Sequence, residues 1–227
     1  MLDNAAKQVY NGRNSTNILP LEGIMKWIGF YNYTVVLTYL SLVSSVLGIK
    51  LAYEGHIGAA VLCLVLSGVC DMFDGAVART KKNRTEDEKN FGIQLDSLCD
   101  VICFGLFPAV ILYFCGVNRP LGIAALVFYV LCAVIRLAFF NVLEINRQRN
   151  EGGCAKEYRG LPVTSSAMIL PFFYLLSHVL PGGVANAVYH ILPLLVGLLF
   201  ITDFRIPKLD IGALFHKHRE QKEQEEK

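Results

Sequence analysis

Four carboxylate side chains lie inside long apolar segments of the chain: Asp71, Asp74, Asp96 and Asp100. A carboxylate at the centre of a membrane helix costs roughly 3 kcal/mol on insertion scales, so it persists where it pairs, faces water or binds an ion. Four such charges in one site of low dielectric require cations. Ligand sets made only of oxygen favour Mg²⁺, Mn²⁺ or Ca²⁺ over zinc.

The spacing of these four aspartates places them in two pairs. Asp71 and Asp74 are three residues apart, Asp96 and Asp100 are four apart, and both spacings put a pair on one face of a helix. A short basic segment joins the two helices, which predicts antiparallel neighbours and one pocket that contains all four carboxylates. Two metal ions bridged by shared carboxylates are an arrangement typical of phosphoryl transfer.

Two glycines and one arginine accompany the carboxylates. Gly75 follows Asp74, and Gly92 lies one turn before Asp96. The missing side chains would let a ligand or a neighbouring helix approach closely. The alternative interpretation is a structural salt-bridge network around Arg79, in which one positive charge would face four negative charges.

The composition indicates a membrane protein. The 227 residues are 54% hydrophobic and 18% charged, whereas soluble domains carry about 25% charged residues. A net charge of +2 without a basic face argues against nucleic-acid binding. Six segments reach the roughly 20 apolar residues that a spanning helix needs, and they show no period-two pattern. They are residues 31–53, 56–79, 91–116, 119–143, 163–181 and 184–202.

The distribution of basic residues predicts the orientation. With a cytoplasmic N-terminus, 17 of the 21 basic residues fall in cytoplasmic segments, and only Lys50 and Arg119 lie in outer loops. The sequence therefore predicts an all-α membrane protein with six transmembrane helices and both termini cytoplasmic. We expect residues 1–30 to form an N-terminal segment, 31–202 the catalytic domain and 203–227 a polar tail. Residues 18–30 are either a short interfacial helix or a linker.

Two segments around the four aspartates match a known signature. They are DMFDGAVAR at 71–79 and GIQLDSLCD at 92–100. Together they resemble the CDP-alcohol phosphotransferase family, whose signature is D-x-x-D-G-x-x-A-R followed by G-x-x-x-D-x-x-x-D. All eight fixed positions are present. The spacer, residues 80–91, is longer than usual in the family, and its polar sequence predicts an extended loop.

The resemblance implies roles for individual residues and a cofactor. The implied metal ligands, for two Mg²⁺ or Mn²⁺ ions, are Asp71, Asp74, Asp96 and Asp100. Asp100 would also be the general base that takes the proton of the acceptor hydroxyl. The implied contacts to the CDP-linked lipid are Gly75, Ala78, Arg79 and Gly92. The acceptor oxygen would attack phosphorus and CMP would leave.

Three further segments narrow the choice of acceptor alcohol. They are LDSLCDVICFGLFPA at 95–109, RLAFFN at 136–141 and GLP at 160–162. They resemble the phosphatidylserine synthases of the family, which implies CDP-diacylglycerol as donor and L-serine as acceptor. The basic loops and the depth of the aspartates near the predicted cytoplasmic helix ends predict a site that faces the cytoplasm at the cell membrane. Glycerol 3-phosphate or an inositol phosphate remains an alternative acceptor, which basic residues of the loop before the fifth span could bind. A divalent-cation transporter is the alternative from another class of protein.

Arg136 and Asn141 are candidate acceptor-binding residues. Arg136 lies inside the fourth span, level with the aspartates, and its planar fork suits the carboxylate of serine. The alternative is a structural pair with one of the four aspartates. Asn32 and Thr34 either contact the nucleotide or cap the first helix. Residues 41–48, SLVSSVLG, suit close helix packing or the face of a homodimer, an assembly common in the family.

Overall fold

The computed structural model describes residues 29–31, 33–81, 85–149 and 157–207. Within these ranges the side chains of 78, 79, 147–149, 157–159 and 205–207 are not described. The interfacial helix predicted at 18–30 therefore lies almost wholly outside the described residues. The helices are α1 (Val36–Tyr53), α2 (Ile57–Thr80), α3 (Glu86–Asp100), α4 (Phe107–Phe114), α5 (Pro120–Arg149), α6 (Ser166–Ser177) and α7 (Gly182–Ile201).

Five helical segments are long and apolar enough to cross a membrane: Tyr33–Tyr53, Ile57–Val77, Glu86–Phe114, Pro120–Asn146 and Gly182–Ile201. These match five of the six predicted spans. The first includes a 3₁₀ turn, Tyr33–Val35, before α1, and the third joins α3 to α4 through a π-helical segment, Val101–Leu106. Many of their outward side chains are apolar and exposed, as a lipid environment requires. An all-α membrane architecture is confirmed.

The predicted fifth span is shorter than expected. Helix α6 has 12 residues, which rise about 18 Å, against about 30 Å for the hydrocarbon core of a bilayer. The 3₁₀ turn Val163–Ser165 precedes it, and the chain leaves the helix after Ser177. Pro181 disfavours helical geometry at the residue before it, so the helix does not continue to 181. A sixth span remains a prediction.

Helix α3 begins earlier than predicted. Its first residue is Glu86, and the hydroxyl of Thr85 accepts a hydrogen bond from the backbone N–H of Glu88 at 3.2 Å. Thr85 and Glu88 have the spacing of a capping box, and the acidic first turn suits the positive end of the helix dipole. Much of the polar spacer is therefore helix rather than extended loop, since only residues 81–85 separate α2 from α3.

Helix α1 packs most extensively against α2 through small polar side chains. Ser41 and Ser67 bond to each other's backbone carbonyls at 3.2 and 2.8 Å, and the hydroxyls of Ser45 and Ser67 are 2.7 Å apart. A methyl group on Gly48 would overlap the ring of buried Phe107. The close-packing interpretation of SLVSSVLG is therefore confirmed within one chain, because its serines form hydrogen bonds between α1 and α2.

The π-helical segment follows Asp100 directly and ends before Pro108. The N–H of Phe107 bonds to the carbonyl of Ile102, five residues back. Pro108 has no N–H to offer the carbonyl four residues before it, which belongs to Phe104. That carbonyl accepts instead from the hydroxyls of Tyr129 at 2.6 Å and Ser166 at 3.1 Å. Helices α5 and α6 are thereby fixed to the helix that carries two of the aspartates.

Two short strands close the described fold. Strand β1, Glu157–Arg159, pairs antiparallel with β2, Arg205–Pro207, in the register Tyr158↔Ile206. The N–H of Gly160 continues the pairing to the carbonyl of Phe204 at 2.7 Å. The first residues of the predicted polar tail thus pair with the segment that precedes α6.

Candidate active site

The structure brings three of the four aspartates together. Asp71 lies on α2, while Asp96 and Asp100 lie on α3. One carboxylate oxygen from each of these three residues lies within 4.8 Å of the others. The carboxyl groups of Asp71 and Asp100 contact each other. We call these three residues the acidic cluster. The paired spacings predict that four carboxylates converge across α2 and α3, and three of the four lie within this distance.

Asp74 stands at the edge of the acidic cluster. Its carboxyl group contacts that of Asp96. Its Oδ2 accepts a hydrogen bond from the hydroxyl of Thr38 on α1 at 3.2 Å. Three helices therefore contribute side chains here, and α1 contributes a neutral donor to Asp74 rather than a further charge.

The acidic cluster fits a divalent cation. Asp100 is 8% exposed, and Oδ1 of Asp96 is buried without a hydrogen-bond partner among the described residues. A buried carboxylate oxygen without a donor costs free energy unless something binds it. The ion pairs Lys50–Glu54 and Lys81–Glu88 do not include an aspartate of the acidic cluster, so these two lysines do not neutralise its charge. Hard oxygen ligands close together suit Mg²⁺ or Mn²⁺.

The two glycines of the signature differ in their burial. Gly75 is exposed. Apart from its chain neighbours and the adjacent backbone of its own helix, no atom of the described part of the chain lies within 4 Å of the place its Cβ would occupy. Its missing side chain therefore leaves open space beside Asp74 rather than room for a packed helix. Gly92 is half-buried on α3. The side chains of Ala78 and Arg79 lie outside the described part, so their roles stay predictions.

Asn141 lies beside the acidic cluster. Its Oδ1 accepts a hydrogen bond of 2.6 Å from the hydroxyl of Ser97, the residue that follows Asp96. This bond joins α5 to α3 where α3 carries its carboxylates. It also fixes the Asn141 amide, whose NH₂ group is a donor. The structure thus connects two of the segments on which the resemblance to the phosphatidylserine synthases depends.

Arg136 contacts the third of those segments. Its Nε donates to the carbonyl of Leu161 at 3.2 Å. A Cβ on Gly160 would lie 3.6 Å from Arg136 Cζ and 2.9 Å from the carbonyl oxygen of Thr202. Gly160 has a φ of +67°, a conformation that favours glycine. The guanidinium thus anchors the GLP segment.

The 3₁₀ turn before α1 adds a hydroxyl without a partner. Thr34 is 4% exposed, and its Oγ1 has no hydrogen-bond partner among the described residues. Helix α1 begins after Val35 without a side-chain cap, so the capping role considered for Thr34 is not observed. Asn32 lies outside the described residues. The adjacent Tyr33 hydroxyl lies 3.1 Å from that of Thr80 at the end of α2.

Sequence reasoning missed two residues of the site, Thr38 and Ser97, as contacts of Asp74 and Asn141. Ser97 lies inside the second signature segment but at a variable position. Thr38 lies 36 residues from its partner Asp74. The available signal was helical periodicity, since Thr34, Thr38, Ser41 and Ser45 follow one face of α1.

Comparison with known proteins identifies the family of the chain. The CDP-alcohol phosphatidyltransferase family matches residues 31–200. The chain is 33% identical over 180 residues to an archaetidylserine synthase of Methanothermobacter thermautotrophicus, covering 78% of this chain and 71% of that protein. It is 30% identical over 182 residues to a CDP-diacylglycerol–serine O-phosphatidyltransferase of Helicobacter pylori, covering 78% and 72%.

A eukaryotic relative is similar over a shorter region. The chain is 38% identical over 113 residues to the CDP-diacylglycerol–serine O-phosphatidyltransferase of Saccharomyces cerevisiae, covering 48% of this chain and 40% of that protein. No solved structure matches the chain. The family match contains four of the five candidate spans, the fifth up to residue 200, and all eight residues of the signature. The chain is therefore a multi-pass membrane protein that belongs to the CDP-alcohol phosphatidyltransferase family.

Proposed function

We propose that the protein transfers a phosphatidyl group from CDP-diacylglycerol to L-serine, giving phosphatidylserine and CMP. The observation that carries this proposal is the acidic cluster, formed across α2 and α3 by three aspartates of the family signature. The relatives named as serine phosphatidyltransferases support serine as the acceptor.

The reaction needs a site that tolerates concentrated negative charge. Asp71, Asp96 and Asp100, with Asp74 beside them, would hold divalent cations. When bound, Mg²⁺ or Mn²⁺ neutralises charge on the diphosphate and on the departing CMP. Open space at Gly75 leaves room for the diphosphate next to the carboxylates. Ala78, Arg79 and Gly92 complete the donor site in this proposal.

Asp100 is the proposed general base. It accepts the proton of the serine hydroxyl while the serine oxygen forms a bond to the phosphatidyl phosphorus. The bond between that phosphorus and the CMP oxygen breaks, and CMP leaves with the electron pair. Asp100 suits the role because it is buried in the cluster, where its carboxylate is held by helix geometry. Asp71 contacts it and completes this side of the pocket.

Arg136 and Asn141 are the proposed acceptor-binding residues. The bond from Ser97 fixes the Asn141 amide beside the acidic cluster, and the bond to Leu161 fixes the Arg136 side chain on the same helix. A guanidinium carries its N–H donors in a planar fork that matches the two oxygens of a carboxylate. In this proposal Arg136 and Asn141 bind the serine carboxylate, and Asp100 takes the proton of the serine hydroxyl.

We expect Arg136→Lys to raise the KM for serine by about 10-fold or more, because a lysine cannot reproduce a two-pronged contact to a carboxylate. The KM for CDP-diacylglycerol should change little. Steady-state kinetics of CMP release, with each substrate varied in turn, measure both constants. Equal increases in the two KM values would contradict an acceptor role and would indicate a structural role through the Leu161 carbonyl.

Two alternative functions would use the site differently. A phosphorylated acceptor would use basic residues of the segment before α6. A divalent-cation transporter would use the acidic cluster as its transport site. The signature residues Gly75, Ala78 and Arg79 favour the transferase, because a diphosphate has a use for an arginine beside the carboxylates and a cation pathway has no evident use for one.

The deciding experiment follows CMP release by the purified protein in detergent with CDP-diacylglycerol and Mn²⁺ or Mg²⁺. Separate reactions receive L-serine, glycerol 3-phosphate or inositol phosphate. The proposal expects release that depends on serine. Release with another acceptor alone would move the protein to another branch of the family. No release with any acceptor, from folded protein, would favour the cation transporter.

The proposal also includes placement and assembly. In this proposal the protein has six transmembrane helices, of which α6 is the shortest, and an interfacial helix at 18–30. Both termini are cytoplasmic, and the active site faces the cytoplasm at the cell membrane. The excess of basic residues in the predicted cytoplasmic segments supports this orientation. It further includes a homodimer, as the family resemblance implies. Chemical crosslinking in native membranes tests the dimer.

A further inference from the structure

Thr38 is the described residue of α1 whose side chain contacts an aspartate of the signature. It is 7% exposed, and its hydroxyl donates to Oδ2 of Asp74 at 3.2 Å. The donor and the acceptor lie on different helices, α1 and α2. At 3.2 Å the bond is longer than the roughly 2.5–2.7 Å of a strong charge-assisted bond, so its importance lies in the direction it gives the carboxylate.

The place of Asp74 makes this bond informative. Asp74 lies outside the set of three carboxylates that converge within 4.8 Å, yet it contacts Asp96. A carboxylate has two oxygens, so a donor held at Oδ2 restricts the rotation of the side chain and directs Oδ1. Donors of this kind orient metal-binding carboxylates, and their loss typically costs about 10- to 100-fold in metal affinity or activity.

The other hydrogen bonds between α1 and α2 in the described part of the chain do not contact an aspartate. Ser44 donates to the backbone carbonyl of Cys63 at 2.9 Å, and Ser41 donates to that of Ser67. These bonds tie the helices together without contacting an aspartate. Thr38 lies on the same side of α1 but closer to the acidic cluster. The Thr38 bond therefore acts on a carboxylate of the site, whereas these serine bonds engage backbone carbonyls.

We propose that Thr38 is a positioning residue for the cation site, and that its hydroxyl orients Asp74 so that the Asp74 carboxylate joins the acidic cluster around a divalent cation. This inference rests on the proposed function, in which Asp74 is a ligand. It adds α1, which lies outside the family signature, to the helices that determine cation affinity. Thr38 itself contacts neither substrate nor ion.

The test measures Mn²⁺ binding to the full-length protein in detergent without substrate, from the electron paramagnetic resonance signal of free Mn²⁺. Thr38→Val removes the hydroxyl and keeps the shape of the side chain, so we expect Mn²⁺ affinity to fall about 10-fold. Thr38→Ser keeps the hydroxyl and should bind within about threefold of the original protein, since the bond to Asp74 persists. Thr38→Ala serves as a second hydroxyl-free variant if the valine disturbs folding.

Ser44→Ala is the matched control, because it removes a hydroxyl bond between α1 and α2 without contacting an aspartate. Its Mn²⁺ affinity should stay unchanged. Unchanged affinity in the Thr38→Val and Thr38→Ala variants would overturn the inference, as would an equal loss in Ser44→Ala. Kinetics should show a higher Mn²⁺ requirement for Thr38→Val with an unchanged KM for serine.

Asp74→Asn separates this inference from the proposed function. Weaker Mn²⁺ binding in Asp74→Asn and in Thr38→Val together supports the positioning role. Normal binding in Asp74→Asn would overturn the role of Thr38 and leave a cation site of three carboxylates intact. Absence of Mn²⁺ binding by the unaltered protein would overturn the cation site of the proposed function and the inference with it.

Discussion

Replacing Asp100 by asparagine is expected to lower serine-dependent CMP release by about 10³-fold or more, because general-base catalysis contributes about 10²- to 10⁴-fold. Asparagine keeps the size of the side chain but cannot take a proton or carry a negative charge. Asp100 is 8% exposed and its carboxylate belongs to the acidic cluster, so no bulk water replaces it easily. Initial rates of CMP release with saturating substrates measure the effect.

The fold should survive this substitution. Removing one of several neighbouring negative charges relieves repulsion in the metal-free protein, so the thermal unfolding midpoint in detergent should not fall. Asp87→Asn is the matched control, since Asp87 is exposed in the first turn of the same helix. Its activity should remain near that of the original protein. A rate for Asp100→Asn above about a tenth of the original, far less than the loss of a general base produces, would exclude that role.

Chelation of divalent cations is expected to abolish CMP release, and Mg²⁺ or Mn²⁺ is expected to restore it. The physical reason is that the negatively charged diphosphate must approach several carboxylates, which repel it without cations. Assays after treatment with excess chelator and dialysis, followed by titration of each metal, measure the effect. Zn²⁺ should restore little, because the cluster offers no sulfur or imidazole ligand among its three residues.

The same experiment has a readout that does not depend on turnover. A cation that binds only the folded protein stabilises it by about 2.7 kcal/mol at a concentration 100 times the Kd. Mn²⁺ should therefore raise the unfolding midpoint of the unaltered protein and raise it less for Asp96→Asn, whose buried Oδ1 has no other partner among the described residues. Full activity after chelation would contradict a metal-dependent transfer.

Much of the site could be predicted because its residues repeat with the period of a helix. The pairs Asp71/Asp74 and Asp96/Asp100 each share a helix face whatever the surrounding fold. Antiparallel pairing of the two helices follows from the short connection between them. The acidic cluster is the result, and the eight signature residues identified the family from the sequence alone.

Positions of helix ends were less predictable. Apolar length located the five long spans, but the start of α3 depends on the Thr85 cap and the end of α6 on the turn before Pro181. Both are local hydrogen-bonding and backbone effects, to which a count of apolar residues is insensitive. Thr85 and Glu88 show the spacing of a capping box in the sequence. They lie inside the spacer that was predicted to be a loop.

The sequence by itself determined the membrane architecture, the family and the residues of the acidic cluster. The tertiary structure decided which side chains support them. Thr38 on Asp74, Ser97 on Asn141 and Arg136 on Leu161 are contacts between elements distant in sequence. Such contacts depend on the rotation and depth of each helix relative to its neighbours. In an apolar span those two quantities are set by packing of the whole bundle, so the period of one helix shows which residues share a face but not which partner that face meets.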